Sequence, residues 1–173
     1  SDRTRFPSFS KTGILVECAP PPARPSYHFA AGGRPRSDRV RAALAAHGFD
    51  GVAIYSGSAG FAFLDDHSYP FRTNPHFKHW VPLTALQQSF VGYVPGQKPV
   101  LCFHQPADYW HKPPSLPSGS WLGEFTLEVL RDADRARELL ELDGRRIAFI
   151  GEWQDRFADW GFAAANPAGL LNE

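Results

Sequence analysis

Hydrophobic residues recur at helical spacing in the stretch around residue 40. Ser37, a residue type favoured at helix N-caps, precedes this stretch, and Gly48 follows it. The positions that share one helix face are Val40, Ala43, Leu44 and His47. This pattern predicts an amphipathic helix that begins at Ser37 and ends before Gly48.

Runs of β-branched and aromatic residues bounded by turn formers predict several strands. The first run covers residues 51–55, and three more strand-like segments lie at 88–94, 99–104 and 125–131. Because residues 95–98 read Pro-Gly-Gln-Lys, a composition typical of turns, we expect the two middle strands to form a hairpin.

The last third of the chain alternates helix and strand patterns. A second helix is predicted from Asp132 to Gly144, and a buried strand follows at 145–150. A short helix with Trp153, Phe157 and Trp160 on one face then ends at Gly161. Strands interleaved with helices predict an α/β fold, in which a mixed β-sheet with at least one hairpin is flanked by helices.

Length and charge narrow the class of protein. The chain has 173 residues, 43% of them hydrophobic, which suits one domain with one sizeable core. Residues 1–33 contain four prolines between positions 20 and 25, so we expect an extended arm there and the folded domain at 34–173. Lysine plus arginine equals aspartate plus glutamate at 18 each, which argues against a nucleic-acid or membrane partner.

The cysteines and the chain ends bear on location and completeness. Cys18 and Cys102 lie far apart and form no C-x-x-C motif, so we expect neither a disulfide framework nor a zinc knuckle, and a cytoplasmic location. Because no apolar stretch follows the first residues and the later apolar stretches are interrupted, we expect neither a signal peptide nor a membrane-spanning segment. Because it lacks methionine and ends in a linker-like segment, we expect a fragment of a longer polypeptide.

Several acidic and histidine residues are candidate metal ligands. They are Asp65, Asp66, His67, His76 and His79. A catalytic divalent-metal site usually needs three or more converging ligands, and these histidines lie among prolines, where we expect no regular element to align them. We therefore expect no metal site, and a hydrolase based on the histidines is the least favoured hypothesis.

Two other motifs have simple structural interpretations. Residues 56–60, Ser-Gly-Ser-Ala-Gly, lack the first glycine of a nucleophile elbow, and no G-K-[ST] follows, so they predict a tight turn. The arginines at 34, 36, 39 and 41 are expected on a solvated helix face.

Aromatic residues cluster in proline-rich segments at 69–80 and 109–111. They could form a binding face, since loops run over the surface, or fold back as a satellite core. The sequence leaves both interpretations open.

Two segments resemble the amino-terminal domain of bacterial prolidases, the Xaa-Pro dipeptidases, a group that includes the organophosphorus acid anhydrolases. Residues 63–82 read FLDDHSYPFRTNPHFKHWVP, and residues 106–112 read PADYWHK, similar to the family's P-x-D-[FY]-W-H-K stretch. The resemblance extends roughly from Tyr27 to Leu171, and residues 1–25 do not share it.

This resemblance implies a creatinase/prolidase-like amino-terminal α/β domain. In the family it precedes a pita-bread catalytic domain, which binds two divalent metal ions, commonly manganese, and hydrolyses Xaa-Pro dipeptides. The family's metal ligands all lie in that catalytic domain, and no position of this chain corresponds to them. We therefore expect no catalytic residue, no metal ligand and no cofactor in this chain.

The resemblance also implies a homodimer in which this domain covers the substrate pocket of the partner subunit. The family's pocket aspartate corresponds to Asp66 and its pocket tryptophan to Trp110. A carboxylate there could pair with a dipeptide's free ammonium where a longer peptide would extend, and an indole could line the pocket for the first side chain. A turn carboxylate for Asp66 and a core anchor for Trp110 remain alternatives.

Two hypotheses of different classes follow. The first is a non-catalytic domain of a proline-specific metallodipeptidase that serves dimerisation and covers the partner's substrate pocket. The second is a stand-alone binding or assembly module of the same fold without peptidase activity.

Overall fold

The computed structural model describes residues 34–60, 68–107, 113–140 and 144–172, and its framework is a six-stranded sheet. The strand order is β4-β3-β2-β1-β5-β6. The strands are β1 (Gly51–Tyr55), β2 (Phe90–Tyr93), β3 (Val100–His104), β4 (Thr126–Leu130), β5 (Ile147–Ile150) and β6 (Ala164–Ala165).

Strand directions define one functional edge of the sheet. Strand β1 is parallel to β5, β5 to β6, and β3 to β4, whereas β2 is antiparallel to both β1 and β3. All strands except β2 therefore end at the same edge, which we call the carboxyl edge. The mixed α/β fold expected from the sequence is confirmed.

Short helices surround this sheet. The α-helices are α1 (Arg34–His47), α2 (Pro75–Trp80), α3 (Ala136–Leu139) and α4 (Ala168–Leu171). The 3-10 helices are Ser120–Glu124, Ala133–Arg135 and Asp155–Trp160.

Helices cover the two faces of the sheet with separate hydrophobic clusters. Strand β1 is buried along its whole length, and its side chains alternate, so Val52 and Ile54 join one cluster while Ala53 and Tyr55 join the other. The first cluster contains residues of α1 and α2, and the second contains residues of α3 and of the 3-10 helix Asp155–Trp160. Each fully buried leucine or phenylalanine contributes about 1.5–3 kcal/mol, so both clusters stabilise the sheet.

The first helix begins earlier than the sequence suggested. Helix α1 starts at Arg34, so Ser37 is an interior residue and the expected N-cap is wrong. Pro35 lies in the first turn, where its missing N–H costs nothing, and the Ser37 carbonyl accepts a 3.3 Å hydrogen bond from the Tyr93 hydroxyl. The end of the helix at His47, before Gly48, is as predicted.

The strand pattern of the middle region is confirmed. Strands β2 and β3 form the expected hairpin, with Phe90 opposite Cys102. The turn is closed by a hydrogen bond of 3.0 Å from the Gln97 N–H to the Val94 carbonyl, and Gly96 adopts φ +85°, which favours glycine.

The second predicted helix is shorter than expected. It begins near Asp132 as predicted, and Asp132 is its N-cap, because its Oδ1 accepts a 3.0 Å hydrogen bond from the Asp134 N–H. A 3-10 turn and the four-residue α3 follow, and α3 ends at Leu139, well before Gly144. Residues 141–143 lie outside the described residues.

The last predicted helix is a 3-10 helix, and it ends at Gly161 in the left-handed conformation, as expected. Its buried side chains are Phe157 and Trp160. Trp153 does not share their helix face, because it precedes the helix, with 43% of its surface exposed, and meets the edge of the Phe149 ring.

Cys102 is a buried free thiol in the second cluster. Burial raises the pKa of this thiol to about 12, and Glu128 acts in the same direction. The protonated thiol therefore behaves as a small hydrophobic side chain. Cys18 and the rest of the predicted arm, residues 1–33, lie outside the described residues. No helix in the described segments is long and apolar enough to cross a membrane.

Thr73 provides a test of the packing immediately before α2. Its side chain is buried, and its Oγ1 has no hydrogen-bond partner within the described part of the chain. We predict that Thr73→Val raises the free energy of unfolding by about 1 kcal/mol, because a methyl group carries no desolvation cost in this site. Urea unfolding measures the change. The exposed Thr126→Val is the control, and an equal gain or a loss for Thr73→Val would contradict the prediction.

Candidate functional site

The two segments that carry the sequence-predicted pocket residues are joined to the carboxyl edge. Segment 61–67 follows β1, and its described ends are tied by a 2.9 Å hydrogen bond from the Tyr69 N–H to the Gly60 carbonyl. Segment 108–112 follows β3, and the Gln105 side-chain amide donates to the Pro114 carbonyl at 2.8 Å across it. Since only β2 separates β1 from β3, these two strand ends are about 10 Å apart.

Asp66 and Trp110 themselves lie outside the described residues. Their proximity and their roles therefore stay predictions, and the same holds for the candidate ligands Asp65 and His67.

A buried serine network ties three strand ends together at the carboxyl edge. The Ser56 N–H donates to the Ser89 carbonyl at 2.9 Å, and the Ser89 N–H donates to Ser56 Oγ at 3.0 Å. Ser89 Oγ accepts the His104 N–H at 3.0 Å and donates to the Gln87 carbonyl at 3.0 Å. Both serines are fully buried, so this network links β1, β2 and β3 beyond their last ladder hydrogen bonds.

Asn74 fixes the chain where it returns from segment 61–67. Its backbone N–H donates to the Ser56 carbonyl at 2.9 Å, and its side-chain amide donates to the Tyr55 carbonyl at 3.0 Å. Its Oδ1 accepts the His76 N–H at 2.9 Å, which caps α2. One side chain thus anchors a strand end and starts a helix.

Helix α2 corrects the expectation that no regular element aligns His76 and His79. Pro75 occupies the first turn after the Asn74 cap, where proline is favourable, so the prolines of this region do not prevent a helix. His76 and His79 lie one turn apart on this helix. Burial lowers the pKa of His76, and His79 acts in the same direction. No group of three or more candidate ligands occurs among residues the structure describes.

An open cleft of about 370 Å³ lies at the carboxyl edge between β1 and β5. Its walls are residues 56–60 after β1, residues 69–72 and 74 on the returning chain, and residues 151–152 after β5. Gly57 adopts φ +101°, and a Cβ there would lie 3.3 Å from the Phe71 ring, so glycine permits this close approach. The tight turn expected at residues 56–60 does not form, and these residues instead continue past the end of β1 as one wall of the cleft.

Arg156, on the face of the sheet that carries the second cluster, supports one wall of this cleft. Arg156 Nη2 donates to the Tyr55 hydroxyl at 3.1 Å, Nη1 pairs with Asp134 at 2.9 Å, and Nε donates to Gln154 Oε1 at 2.7 Å. Gln154 Nε2 in turn donates to Ser58 Oγ at 2.7 Å. Arg156 is 28% exposed and its guanidinium lies 4.9 Å from the centre of the Phe157 ring, so a partly buried cation supports the cleft wall.

Burial shifts the pKa values of two titratable side chains near Arg156, those of Tyr55 and His104. Burial raises the pKa of Tyr55, and Arg156 opposes this shift. Burial lowers the pKa of His104, the Arg131 backbone hydrogen bond opposes this, and Arg156 acts with burial. The histidine at the end of β3 is therefore biased toward the neutral form.

The aromatic residues divide between the two interpretations that the sequence left open. Phe77 and Trp80 are buried in the first cluster, as a core requires. Tyr69 is 61% exposed at the cleft, as a binding face requires. Residues 109–111 lie outside the described residues. Of the four arginines near α1, Arg39 and Arg41 lie on the exposed helix face that was predicted, and Arg41 pairs with Asp38 at 3.1 Å.

Comparison with known proteins identifies the family. The family model described as "Xaa-Pro dipeptidase, N-terminal domain" matches residues 34–173. The chain belongs to this family of N-terminal domains. It is 40% identical over 134 residues to the Xaa-Pro dipeptidase of Stenotrophomonas maltophilia strain K279a and 38% identical over 134 residues to that of Pseudoalteromonas haloplanktis. Each alignment covers 78% of this chain and 30% of the relative.

The chain thus spans under a third of the length of these relatives. The resemblance to the amino-terminal domain of bacterial prolidases, predicted from the sequence, is confirmed. Sequence reasoning missed Ser89, Asn74 and Arg156 as residues that shape the site. Asn74 had a usable signal, because an Asn-Pro pair before aromatic residues suits an N-cap followed by proline in the first turn. Ser89 and Arg156 had none, since Ser89 bonds His104, 15 positions away, and Arg156 reaches the end of β1 at Tyr55, 101 positions away.

Ser89→Ala tests the serine network. We predict a loss of about 1–3 kcal/mol in the free energy of unfolding, because the partly buried His104 N–H loses its acceptor while the strands stay paired. Urea unfolding measures the loss, and amide exchange at His104 should accelerate. The exposed Ser118→Ala is the matched control, and equal stability of the two variants would contradict the role assigned to Ser89.

Proposed function

We propose that this chain is the non-catalytic domain of a proline-specific metallodipeptidase, in which it supports homodimer formation and covers the substrate pocket of the partner subunit. In the intact enzyme, a separate catalytic domain that binds two divalent metal ions, which we propose are manganese, hydrolyses Xaa-Pro dipeptides. The proposal includes a cytoplasmic location, which the buried free thiol of Cys102 supports.

The observation that carries the proposal is the shared edge of the two candidate segments. The described residues on both sides of segment 61–67 and of segment 108–112 lie at the carboxyl edge, one strand apart. The serine network and Asn74 fix these strand ends, so the edge is a rigid base to which both segments are attached.

The chemistry assigned to the two pocket residues follows from what a dipeptidase must distinguish. A dipeptide has a free ammonium at the position where a tripeptide continues as an amide, so the Asp66 carboxylate would favour the dipeptide and disfavour the longer chain. The Trp110 indole would offer a large, rigid apolar wall to the first side chain. Neither role requires proton transfer or metal binding by this chain.

The isolated chain provides the first test. We predict that it shows no hydrolysis of Ala-Pro in the presence of Mn²⁺, because it contributes a covering surface rather than the reacting groups. Release of proline is measured against a mock purification from cells without the gene. Turnover that copurifies with the chain through successive columns would contradict the proposal.

A chimera provides the second test. Residues 34–172 replace the aligned region of the Stenotrophomonas enzyme, and kcat/KM is measured for Ala-Pro, Leu-Pro and Ala-Pro-Ala. Asp66→Ala should reduce the dipeptide-to-tripeptide ratio about tenfold, equivalent to about 1.4 kcal/mol for one lost charge pairing. Trp110→Ala should change the ratio between Leu-Pro and Ala-Pro while the dipeptide-to-tripeptide ratio stays nearly constant.

Matched substitutions control for general damage in the chimera. Asp159→Ala removes an exposed carboxylate from the 3-10 helix, and Trp121→Ala removes an indole at the opposite edge of the sheet. Both should leave the substrate ratios unchanged. If the Asp66 and Trp110 variants behave like these controls, the proposed pocket role is wrong. A chimera that remains dimeric yet insensitive at both positions would favour the assembly-module hypothesis.

A further inference from the structure

The cleft between β1 and β5 lies at a topological switch point of the sheet. These two strands are adjacent and parallel. The chain after β1 leads to α2, whose buried residues join the first cluster, whereas the chain after β5 leads to the 3-10 helix Asp155–Trp160, whose buried residues join the second. Connections that leave to opposite faces open a crevice at the carboxyl edge, where ligands of open α/β sheets bind.

Two exposed charges of opposite sign lie in this crevice. Arg72 and Glu152 both line the cleft and are both exposed. Neither has a hydrogen bond or an ion pair with another side chain in the described segments. An arginine can hold a carboxylate through two parallel hydrogen bonds, and a glutamate can accept from an ammonium, so the pair suits a small zwitterion.

The remaining walls suit an apolar ring between the two charged ends. The rings of Tyr69 and Phe71 line the cleft from the returning chain. Aromatic-lined grooves are a common surface for proline, whose ring is already fixed and loses little entropy on binding. The volume of about 370 Å³ lies at the small end of the range for small-molecule sites, about 300–1,000 Å³.

One wall of the cleft is held in place without the ligand. Ser58 accepts the Gln154 amide at 2.7 Å, and Gln154 is itself held by Arg156 at 2.7 Å. Across the cleft, Asn166 clamps Gly151 with two hydrogen bonds of 2.8 Å, one from the Gly151 N–H and one to its carbonyl. Preformed walls lower the entropic cost of binding a small molecule.

We propose that this cleft is a binding site for a free Xaa-Pro dipeptide, with Arg72 holding the α-carboxylate and Glu152 holding the α-ammonium. The site lies on this chain, at the same edge of the sheet as the two segments for which the covering role is proposed. The choice of a prolyl dipeptide rests on the proposed function, whereas the zwitterionic character follows from the charges of the cleft.

Amide chemical shifts of the 173-residue chain test this site. Ala-Pro is titrated in the presence of EDTA, which prevents turnover by trace metalloenzymes. Saturable shifts should appear in residues 57–60, 69–72 and 151–152. Acetyl-Ala-Pro lacks the ammonium and Ala-Pro amide lacks the carboxylate, and each should bind about 2–5-fold more weakly than Ala-Pro, as expected for one exposed charge pair of up to about 1 kcal/mol.

Substitutions assign each end of the ligand. Arg72→Gln should abolish the preference for Ala-Pro over its amide while the preference over acetyl-Ala-Pro persists, and Glu152→Gln should do the reverse. Arg137→Gln and Glu124→Gln are matched controls on exposed residues outside the cleft, and they should retain both preferences. Dispersed spectra show that each variant is folded.

Two results would overturn the inference. The first is the absence of saturable shifts at the cleft up to about 50 mM Ala-Pro, since affinities weaker than the millimolar range leave too little binding energy for a site. The second is a set of shifts that ignores the end groups of the ligand or the two substitutions. The test is independent of the chimera experiment. If Ala-Pro does not bind the cleft but Asp66→Ala alters selectivity in the chimera, only the proposed dipeptide site is wrong. If Ala-Pro binds the cleft but the chimera variants leave selectivity unchanged, only the proposed covering role is wrong.

Discussion

The fold depends on how three strand ends are held together where the sheet loses its regular ladder. Strands β1 and β3 end at the carboxyl edge while β2 begins there, so their terminal backbone groups lack ladder partners. The hydroxyl of Ser89 receives the first amide beyond the β2–β3 pairing, and that of Ser56 receives the amide of Ser89. Two small side chains thereby satisfy buried polar groups that water cannot reach.

The neighbouring features depend on this tie. Asn74 attaches the returning chain to the carbonyls of Tyr55 and Ser56, so the start of α2 is fixed relative to the end of β1. On the other face, Arg156 contacts the Tyr55 hydroxyl and the Gln154 amide oxygen. The end of β1 is therefore held from both faces, and a charged group that would be costly to bury alone is neutralised by Asp134 at the surface.

Local sequence signals predicted the sheet well and the site poorly, for physical reasons. The runs around Ile54 and Phe149 are buried on both faces and read as apolar strands whatever their neighbours. The start of α1 was predicted too late because serine is a common N-cap residue, whereas the helix begins at Arg34 with Pro35 in its first turn. The contacts of Ser89 with Ser56 and His104 join residues 33 and 15 positions apart, and no local pattern specifies such contacts.

The geometry of the edge also connects the serine network to the two segments for which a covering role is proposed. The serine tie lies at β2, between the two strands that precede segments 61–67 and 108–112, so it sets the spacing of their points of attachment. A change in that spacing would displace both points of attachment, because neither strand end can shift without breaking a hydrogen bond of the serine network. Selectivity for short substrates requires groups held within a fraction of an ångström, and a loop gains that accuracy only from the rigid elements at its base.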